Sequence, residues 1–423
     1  MFFLKPKKYL SKLYPLFFVK MRLHRNIAVG IIEGLENILI DKIALKPALN
    51  KLLKKNKKWG ARDRKFVFNI IIEIVRWKRK LTEIGKLDIN SNNFLWDLLG
   101  LCLIINNIEL PNWEKFSALD KEKIDLSFIP KSSKRAFLQS IPNWLDKLGL
   151  KTFGKIIWEK EIESLNKKAF VYLRINTLRT STPKVQKRLN KHQINTSLIP
   201  GFPDTLRLSQ NIKLTNTEFY KNGWFEIQDI NSQRVSIFTN PKPGMFVIDA
   251  CAGSGGKALH LATLMQNKGC ILAIEPSNEK RRQLEIRTKR NGISIINNDT
   301  SENKDIFKKN KESADIVLID APCSGLGVLK RNPSAKWHMD PKRINQIINL
   351  QQEIIQKYSI LVSKGGILVY ATCSIFPNEN QNQIKHFLNT KNGKLFTLLD
   401  QKTFLTHQSN GDGFYMSKLM KTG

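Results

Sequence analysis

The hydrophobic and polar positions of this chain divide it into a helical first part and a later part with a different periodicity. Apolar residues recur at the spacing of one helix face at Ile27, Ile31, Ile32, Leu35 and Ile38. Further apolar blocks at 66–77, 94–105 and 136–150 predict additional helices. Residues 21–150 are therefore predicted to form a helical domain, and residues 1–20 a basic tail or start-site extension.

The pattern changes to short segments between residues 151 and 240. Strand-like alternation is present at 169–175, 197–199, 205–208 and 223–227, with a helical segment at 183–191. This combination predicts a small α/β linker domain.

From residue 241 to residue 423, apolar strands alternate with helical segments. The strands are predicted at 245–248, 270–274, 294–296, 315–319 and 367–371. Asp340 and Pro341 have the residue types that begin a helix, and Gly365-Gly366 is predicted to end it. Alternating strands and helices indicate an α/β fold with a doubly wound, mostly parallel sheet.

The net charge of the chain indicates a class of binding partner. The chain has 423 residues and a formal net charge of +34, which favours a polyanion such as nucleic acid. The alternative is compositional drift, because Lys, Asn and Ile are all abundant. No apolar run is long enough for a transmembrane helix, and the basic residues are spread along the chain, so a membrane partner is not expected.

Cysteine usage limits the redox and metal chemistry. The five cysteines are an odd number, and none forms a Cys-x-x-Cys pair. A disulfide framework or a zinc site is therefore not expected, and the reducing cytoplasm is the predicted compartment.

A glycine-rich turn after the first strand of the α/β domain is a candidate cofactor loop. It consists of Cys251, Ala252, Gly253, Ser254, Gly255, Gly256 and Lys257. Glu275 ends the next strand, where an acidic residue can accept hydrogen bonds from ribose hydroxyls. Such a site could hold either NAD or S-adenosylmethionine, since the start of a helix favours an anionic group in both ligands.

Two cysteines favour S-adenosylmethionine. Cys323 and Cys373 each follow a predicted strand, and each precedes a serine. Methylation of a pyrimidine at carbon 5 needs a thiolate that adds to carbon 6, and a second group that assists release. A nicotinamide enzyme has no general need for two thiols in these positions.

The motifs around these residues resemble those of the RNA cytosine-5 methyltransferases. The resemblance rests on Asp320-Ala321-Pro322-Cys323-Ser324-Gly325, Arg331-Asn332-Pro333-Ser334-Ala335-Lys336-Trp337, Ala371-Thr372-Cys373-Ser374 and Gly411-Asp412-Gly413-Phe414-Tyr415. The match is strong over residues 165–423. The helical part is more weakly similar to the NusB-like RNA-binding domain of the RsmB branch, which modifies small-subunit ribosomal RNA.

The resemblance implies a role for each candidate residue. Cys373 would be the nucleophile, Cys323 would assist product release, and Asp320 would lie beside the reacting centre and the cofactor. The loop from Cys251 to Lys257 would hold the methionine part of S-adenosylmethionine, with Glu275 on the ribose and Asp299 near the adenine. Arg331 and Lys336 would contact the RNA substrate.

The expected function is cytosine-5 methylation of RNA, with 16S ribosomal RNA as the expected substrate and a monomer as the expected state. The family resemblance leaves transfer RNA open as the substrate. A non-catalytic RNA-binding assembly factor and a nicotinamide oxidoreductase are the alternatives from other classes. In DNA cytosine-5 methyltransferases, which resemble this chain at Pro322-Cys323, that cysteine would be the nucleophile.

Overall fold

The computed structural model describes residues 23–117, 119, 124–125, 127–130, 133–210, 212–303 and 305–423. The predicted tail at residues 1–20 lies outside these ranges. The described chain forms two units. The first comprises the described residues up to Asn166 together with Leu329–Pro341, and the second comprises Lys167–Val328 and Lys342–Gly423.

The first unit is helical. Its helices are α1 (Arg25–Leu39), α2 (Leu45–Lys55), α3 (Ala61–Ile84), α4 (Phe94–Ile105), α5 (Lys134–Leu138) and α6 (Asn143–Leu165). The apolar stripe predicted in the first helix is buried in one core with the inner faces of α2, α3 and α4. The unit extends beyond the predicted boundary at residue 150, because α6 continues to Leu165 with a kink at Gly154.

The segment Leu329–Pro341 completes this helical unit. Lys336, in the short helix Ala335–His338, is fully buried, and its Nζ donates to Arg76 O at 2.8 Å and to Asn166 Oδ1 at 3.4 Å. Trp337 Nε1 donates to Val75 O at 2.6 Å, so the segment donates hydrogen bonds to two consecutive carbonyl groups within α3. The prediction that Lys336 contacts RNA is therefore corrected, because a buried amine held by two protein oxygens does not face a phosphate.

The guanidinium of Arg76 holds the beginning of the same segment. It donates to Lys330 O at 3.0 Å and to Leu329 O at 3.4 Å. Arg331, the next residue, is exposed. Arg331 and Lys336, which were both predicted to contact RNA, thus differ: Arg331 is exposed to solvent and Lys336 is buried.

Substituting Lys336 with methionine should change how the stability of the helical unit depends on pH. Burial and the nearby Arg76 charge hold the pKa of Lys336 well below 10.5. Between that lowered pKa and 10.5 the unfolded chain binds one proton more than the folded chain, so the free energy of unfolding rises with pH. The slope approaches about 1.4 kcal/mol per pH unit and should be lost in Lys336→Met.

Hydrogen exchange of the α3 amides, followed as the pH is raised toward 10.5, measures this slope. Lys78 also has a pKa lowered by burial, so the difference between wild type and variant isolates the contribution of Lys336. Parallel pH curves for the two proteins would contradict the assignment.

The second unit begins with a small antiparallel sheet. Its elements are β1 (Tyr172–Ile175), α7 (Thr182–Lys191), β2 (Thr196–Ile199), β3 (Phe202–Leu208), α8 (Glu218–Lys221) and β4 (Phe225–Ile227). The strand order is β2-β3-β1-β4, and α7 packs on β2 and β3. These elements confirm the strands and the helix predicted between residues 169 and 227.

Helix α9 (Ile230–Thr239) leads into a seven-stranded sheet. The elements that follow are β5 (Phe246–Asp249), α10 (Gly256–Leu264), β6 (Cys270–Ile274), α11 (Asn278–Asn291), β7 (Ile296–Asp299), α12 (Asp305–Lys309), β8 (Ala314–Asp320), α13 (Pro341–Ser359), β9 (Val362–Thr372), α14 (Gln381–Leu388), β10 (Phe396–Phe404), α15 (Thr406–Ser409) and β11 (Phe414–Lys421). The strand order is β10-β11-β9-β8-β5-β6-β7, with only β10 and β11 antiparallel to their neighbours.

This order confirms the predicted doubly wound α/β fold. The order reverses between β5 and β8, and in such sheets ligands bind outside the carboxyl ends of the strands at that point. No helix in the described ranges is both long and apolar enough to cross a bilayer.

One predicted boundary is wrong. Helix α13 ends at Ser359, and Gly365 and Gly366 lie inside β9. Gly365 has a φ of 76°, and the pairing of β9 with β8 shifts register between Ala314 and Ile316. The glycines therefore accommodate an irregularity in the strand. Glycine is common at such irregularities as well as at the ends of helices.

Candidate active site

The turn between β5 and α10 has the geometry of a ligand-binding loop. Gly253 and Gly255 have φ values of 57° and 87°, which favour glycine. A Cβ at Gly255 would lie 2.1 Å from the Leu284 side chain, so this position also needs glycine for packing. A Cβ at Gly253 would meet no protein atom within 4 Å, so space is open on that side of the loop.

Two acidic residues follow the loop on the adjacent strands. Glu275 is buried, and its carboxylate accepts hydrogen bonds from Gly253 N and Ser277 N, both at 3.0 Å. Asp299 ends β7 and is partly exposed, and Glu275 N donates to Asp299 O at 3.0 Å. A carboxylate has about four acceptor positions, so Glu275 keeps capacity for ligand hydroxyls.

An arginine that the sequence did not single out also supports the loop. Arg287 on α11 donates to Ser254 O at 2.6 Å and to Glu226 Oε2 at 3.0 Å. Glu226 is buried, and it also pairs with Arg290. The cofactor loop is thereby connected to β4 of the small sheet through one guanidinium group.

A partly buried ionic group lies at the carboxyl ends of β5 and β8. Lys257 Nζ contacts Asp320 Oδ2 at 2.5 Å. Burial would lower the pKa of Lys257, but the charges of Asp320, Asp249 and Cys373 together raise it, so this lysine stays protonated. Asp249 is fully buried, and burial and the Asp320 charge raise its pKa to about 7.

The two predicted catalytic cysteines lie side by side. Cys323 Sγ is 3.2 Å from Cys373 Sγ, and both residues are partly exposed. Cys323 follows β8 and Cys373 follows β9, which are neighbouring parallel strands. The hydrogen bond to Cys373, burial, and the charges of Cys373 and Glu379 hold the pKa of Cys323 well above its usual value.

The sequence analysis missed three charged residues of this site, and the signal differs among them. Asp249 directly follows the strand predicted at 245–248 and lies two positions before Cys251, the first residue of the cofactor loop, so its position was informative. Glu379 belongs to Asn378-Glu379-Asn380, a polar stretch soon after the second thiol motif. Arg287 lies in a charged helix with no local feature that separates it from its neighbours.

The residues present fit S-adenosylmethionine. Neither carboxylate oxygen of Asp249 accepts a normal hydrogen bond from the described side chains, although the Cys251 backbone N–H lies close enough to offset part of the burial. An acidic group beneath a glycine loop suits an ammonium group, and Glu275 suits ribose hydroxyls. Within the described ranges, no group of three or more His, Cys, Asp or Glu side chains is arranged to hold a metal ion.

Two family models match parts of this chain. The family model described as 16S rRNA methyltransferase RsmB/F matches residues 236–420. A second model, the ferredoxin-like domain of RsmF/B-like methyltransferases, matches residues 141–215.

Individual proteins resemble longer parts of the chain. A Synechocystis protein named probable ribosomal RNA small subunit methyltransferase B is 31% identical over 342 residues, which are 77% of this chain and 75% of that protein. The solved structure of PH0851 covers 95% of this chain and 100% of its own, with a TM-score of 0.79 and 24% identity. NSun6 from Pyrococcus horikoshii, solved with SFG, covers 67% of this chain and 98% of its own, with a TM-score of 0.62 and 21% identity. The chain therefore belongs to the RsmB/F family of 16S ribosomal RNA methyltransferases.

Proposed function

We propose that this protein methylates carbon 5 of a cytosine in small-subunit ribosomal RNA through a transient bond between Cys373 and the base. The observation that carries the proposal is the 3.2 Å separation of Cys323 Sγ and Cys373 Sγ beside the Lys257–Asp320 pair. Methyl transfer to oxygen or to an exocyclic nitrogen has no need for two adjacent thiols.

Cys373 would begin the reaction. Its thiolate adds to carbon 6, and the electron pair of the carbon 5–carbon 6 double bond moves toward carbon 5, which becomes nucleophilic. Asp320 and the Lys257 ammonium lie beside this centre, and the raised pKa of Lys257 means that its positive charge is present when the thiolate forms. When bound, S-adenosylmethionine would supply an electrophilic methyl group for carbon 5, and breaking its sulfur–methyl bond would leave neutral S-adenosylhomocysteine.

Cys323 would complete the reaction. Two of the causes that raise the pKa of Cys323, its hydrogen bond with Cys373 and the charge of Cys373, disappear once Cys373 is bonded to carbon 6. Cys323 is then more readily a thiolate that removes the carbon 5 proton. As the proton leaves, its electron pair restores the double bond, and the sulfur–carbon 6 bond breaks to release Cys373.

The cofactor proposal has support from both geometry and similarity. The Cys251–Lys257 loop, Glu275 and Asp299 lie on three consecutive parallel strands, where one extended nucleoside ligand can span them. SFG, the ligand of the Pyrococcus horikoshii NSun6 structure, is an analogue of S-adenosylmethionine.

The RNA substrate is supported by charge and by the names of the relatives. The net charge of +34 favours binding to phosphates. Exposed Arg331 stays a proposed RNA contact, whereas buried Lys336 is withdrawn from that role.

Tritium release tests the position of methylation. Small-subunit ribosomal RNA carrying tritium at carbon 5 of cytosine should lose one tritium for each methyl group transferred, because that proton must leave. Naked RNA and partly assembled subunits serve as alternative substrates. Methyl transfer without tritium release on either substrate would contradict the cytosine-5 assignment, and absence of methyl transfer to both would contradict the proposed substrate.

A further inference from the structure

One buried carboxylate contacts both thiol loops, which are the loop after β8 that carries Cys323 and the loop after β9 that carries Cys373. Glu379 is only 1% exposed and ends the short 3-10 helix Pro377–Glu379. Its carboxylate accepts the Ser324 hydroxyl at 2.6 Å, the Ser324 backbone N–H at 2.7 Å and the Ser374 hydroxyl at 2.5 Å. Ser324 directly follows Cys323, and Ser374 directly follows Cys373.

We propose that Glu379 is a positioning residue that sets the spacing of Cys323 and Cys373 for the methyl-transfer reaction. The inference rests on the proposed function, in which one thiol adds to the base and the other removes a proton from it. The two loops leave different strands, and the carboxylate gives both of their serines one common acceptor. Each Cys-Ser pair therefore places a reactive thiol next to a hydroxyl that fixes its loop.

The turn that carries Glu379 is itself fixed to β9. The Tyr370 hydroxyl donates to Glu379 O at 2.7 Å. Asn380 Oδ1 accepts the Thr372 hydroxyl at 2.5 Å, and Asn380 Nδ2 donates to Ser374 O at 3.0 Å. Because these contacts surround the turn, the carboxylate cannot follow either thiol loop independently.

A carboxylate suits this role better than an amide. The hydroxyls of Ser324 and Ser374 both donate to Glu379 Oε1, while the Ser324 N–H and, at 3.4 Å, Gln351 Nε2 donate to Glu379 Oε2. A glutamine offers one oxygen acceptor and two N–H donors, so it cannot accept at both ends. The Glu379 charge is also one of the causes of the raised pKa of Cys323.

The reaction step most sensitive to thiol spacing is product release, which gives the first test. In Glu379→Gln, release of methylated RNA in a single turnover should slow by about 100-fold, because a small misplacement of a reacting group has effects of that size. The RNA–protein adduct should accumulate, as in Cys323→Ala. The dissociation constant of S-adenosylmethionine should stay within about twofold of wild type, since Glu379 contacts none of the proposed cofactor residues.

Glu226→Gln is the matched control. Glu226 is also a buried carboxylate of the same unit, but it holds Arg287 and through it Ser254 of the cofactor loop. This variant should raise the KM for S-adenosylmethionine without adduct accumulation. A purely structural role of Glu379 would instead weaken cofactor binding and catalysis together and would overturn the proposal.

Thiol crosslinking gives a readout that needs neither RNA nor cofactor. Diamide oxidises two neighbouring thiols to a disulfide, which removes two protons and two electrons while diamide is reduced to its hydrazine. Wild type should form the Cys323–Cys373 disulfide readily, because the sulfur atoms are 3.2 Å apart. Glu379→Gln should form it at least about tenfold more slowly under the same conditions.

A double variant, Ser324→Ala with Ser374→Ala, protects the test against misfolding of Glu379→Gln. It removes both hydroxyl donors and leaves the carboxylate and the Ser324 N–H in place, and it should also slow crosslinking and release. Wild-type crosslinking and release rates in both variants would overturn the proposal. If Cys323→Ala traps no adduct but Glu379→Gln still slows crosslinking, the cytosine-5 chemistry fails while the positioning role stands.

Discussion

Cys373→Ala should lose methyl transfer by at least about a thousandfold, while Cys323→Ala should accumulate a covalent RNA–protein adduct. Without the Cys373 thiolate, carbon 5 of cytosine has no means of becoming nucleophilic. Without Cys323, the sulfur–carbon 6 bond still forms and the methyl group still arrives, but the carbon 5 proton leaves slowly. Incubation with S-adenosylmethionine and small-subunit ribosomal RNA, followed by a denaturing gel, separates the two outcomes.

Cys270→Ala is the matched control for both variants. Cys270 is partly buried at the beginning of β6, at the opposite end of that strand from Glu275. It should transfer methyl groups at the wild-type rate and trap no adduct. An adduct that accumulates in Cys373→Ala instead would reverse the two thiol roles, as in the DNA enzymes.

Lys257→Met should reduce kcat/KM by about 100-fold or more, the second largest expected effect. The substitution removes the ammonium group that pairs with Asp320. Because the charge of that ammonium lowers the pKa of Asp249, its removal raises the pKa of Asp249. Removing one partner of a partly buried ion pair is unfavourable, because the remaining charge loses its compensation. Asp249 should then hold a proton at neutral pH, which weakens the attraction of the site for the cofactor ammonium.

Calorimetry of S-adenosylmethionine binding and single-turnover methylation measure the two parts of this effect. Lys280→Met is the control, since Lys280 is 3.4 Å from Glu275 but its side chain is 55% exposed, so the pair contributes little. Equal losses in both variants would show that the effect of Lys257 is general electrostatics and would contradict its assigned position.

Local sequence patterns were sufficient to predict the parallel sheet and to select the residues that are proposed to react. Strand alternation, a glycine loop at a strand-helix turn, and thiols at strand ends are all properties of a few consecutive residues. Parallel strands bring their carboxyl ends to one edge, so Asp320, Cys323 and Cys373 were expected together. The side-chain distances agree with that expectation.

Contacts between residues distant in sequence could not be predicted in this way. Ser324 and Glu379 are separated by 55 positions, and Lys336 and Arg76 by 260. The resemblance of residues 331–337 to a family motif implied that Lys336 contacts RNA. In the structure its amine is held by Arg76 O of α3 and by Asn166 Oδ1, which no local pattern associates with it.

The contribution of Leu329–Pro341 to the helical unit has a consequence for the order in which the protein folds during synthesis. Trp337 packs against the core of the helical unit, and the guanidinium of Arg76 donates to the carbonyl groups of Leu329 and Lys330. Residues 167–328 must leave the ribosome before these partners exist, although amino-terminal domains usually fold first. The nascent helical unit therefore lacks these contacts along α3 until residues 329–341 have been made, and a fragment ending at Asn166 should be prone to aggregation.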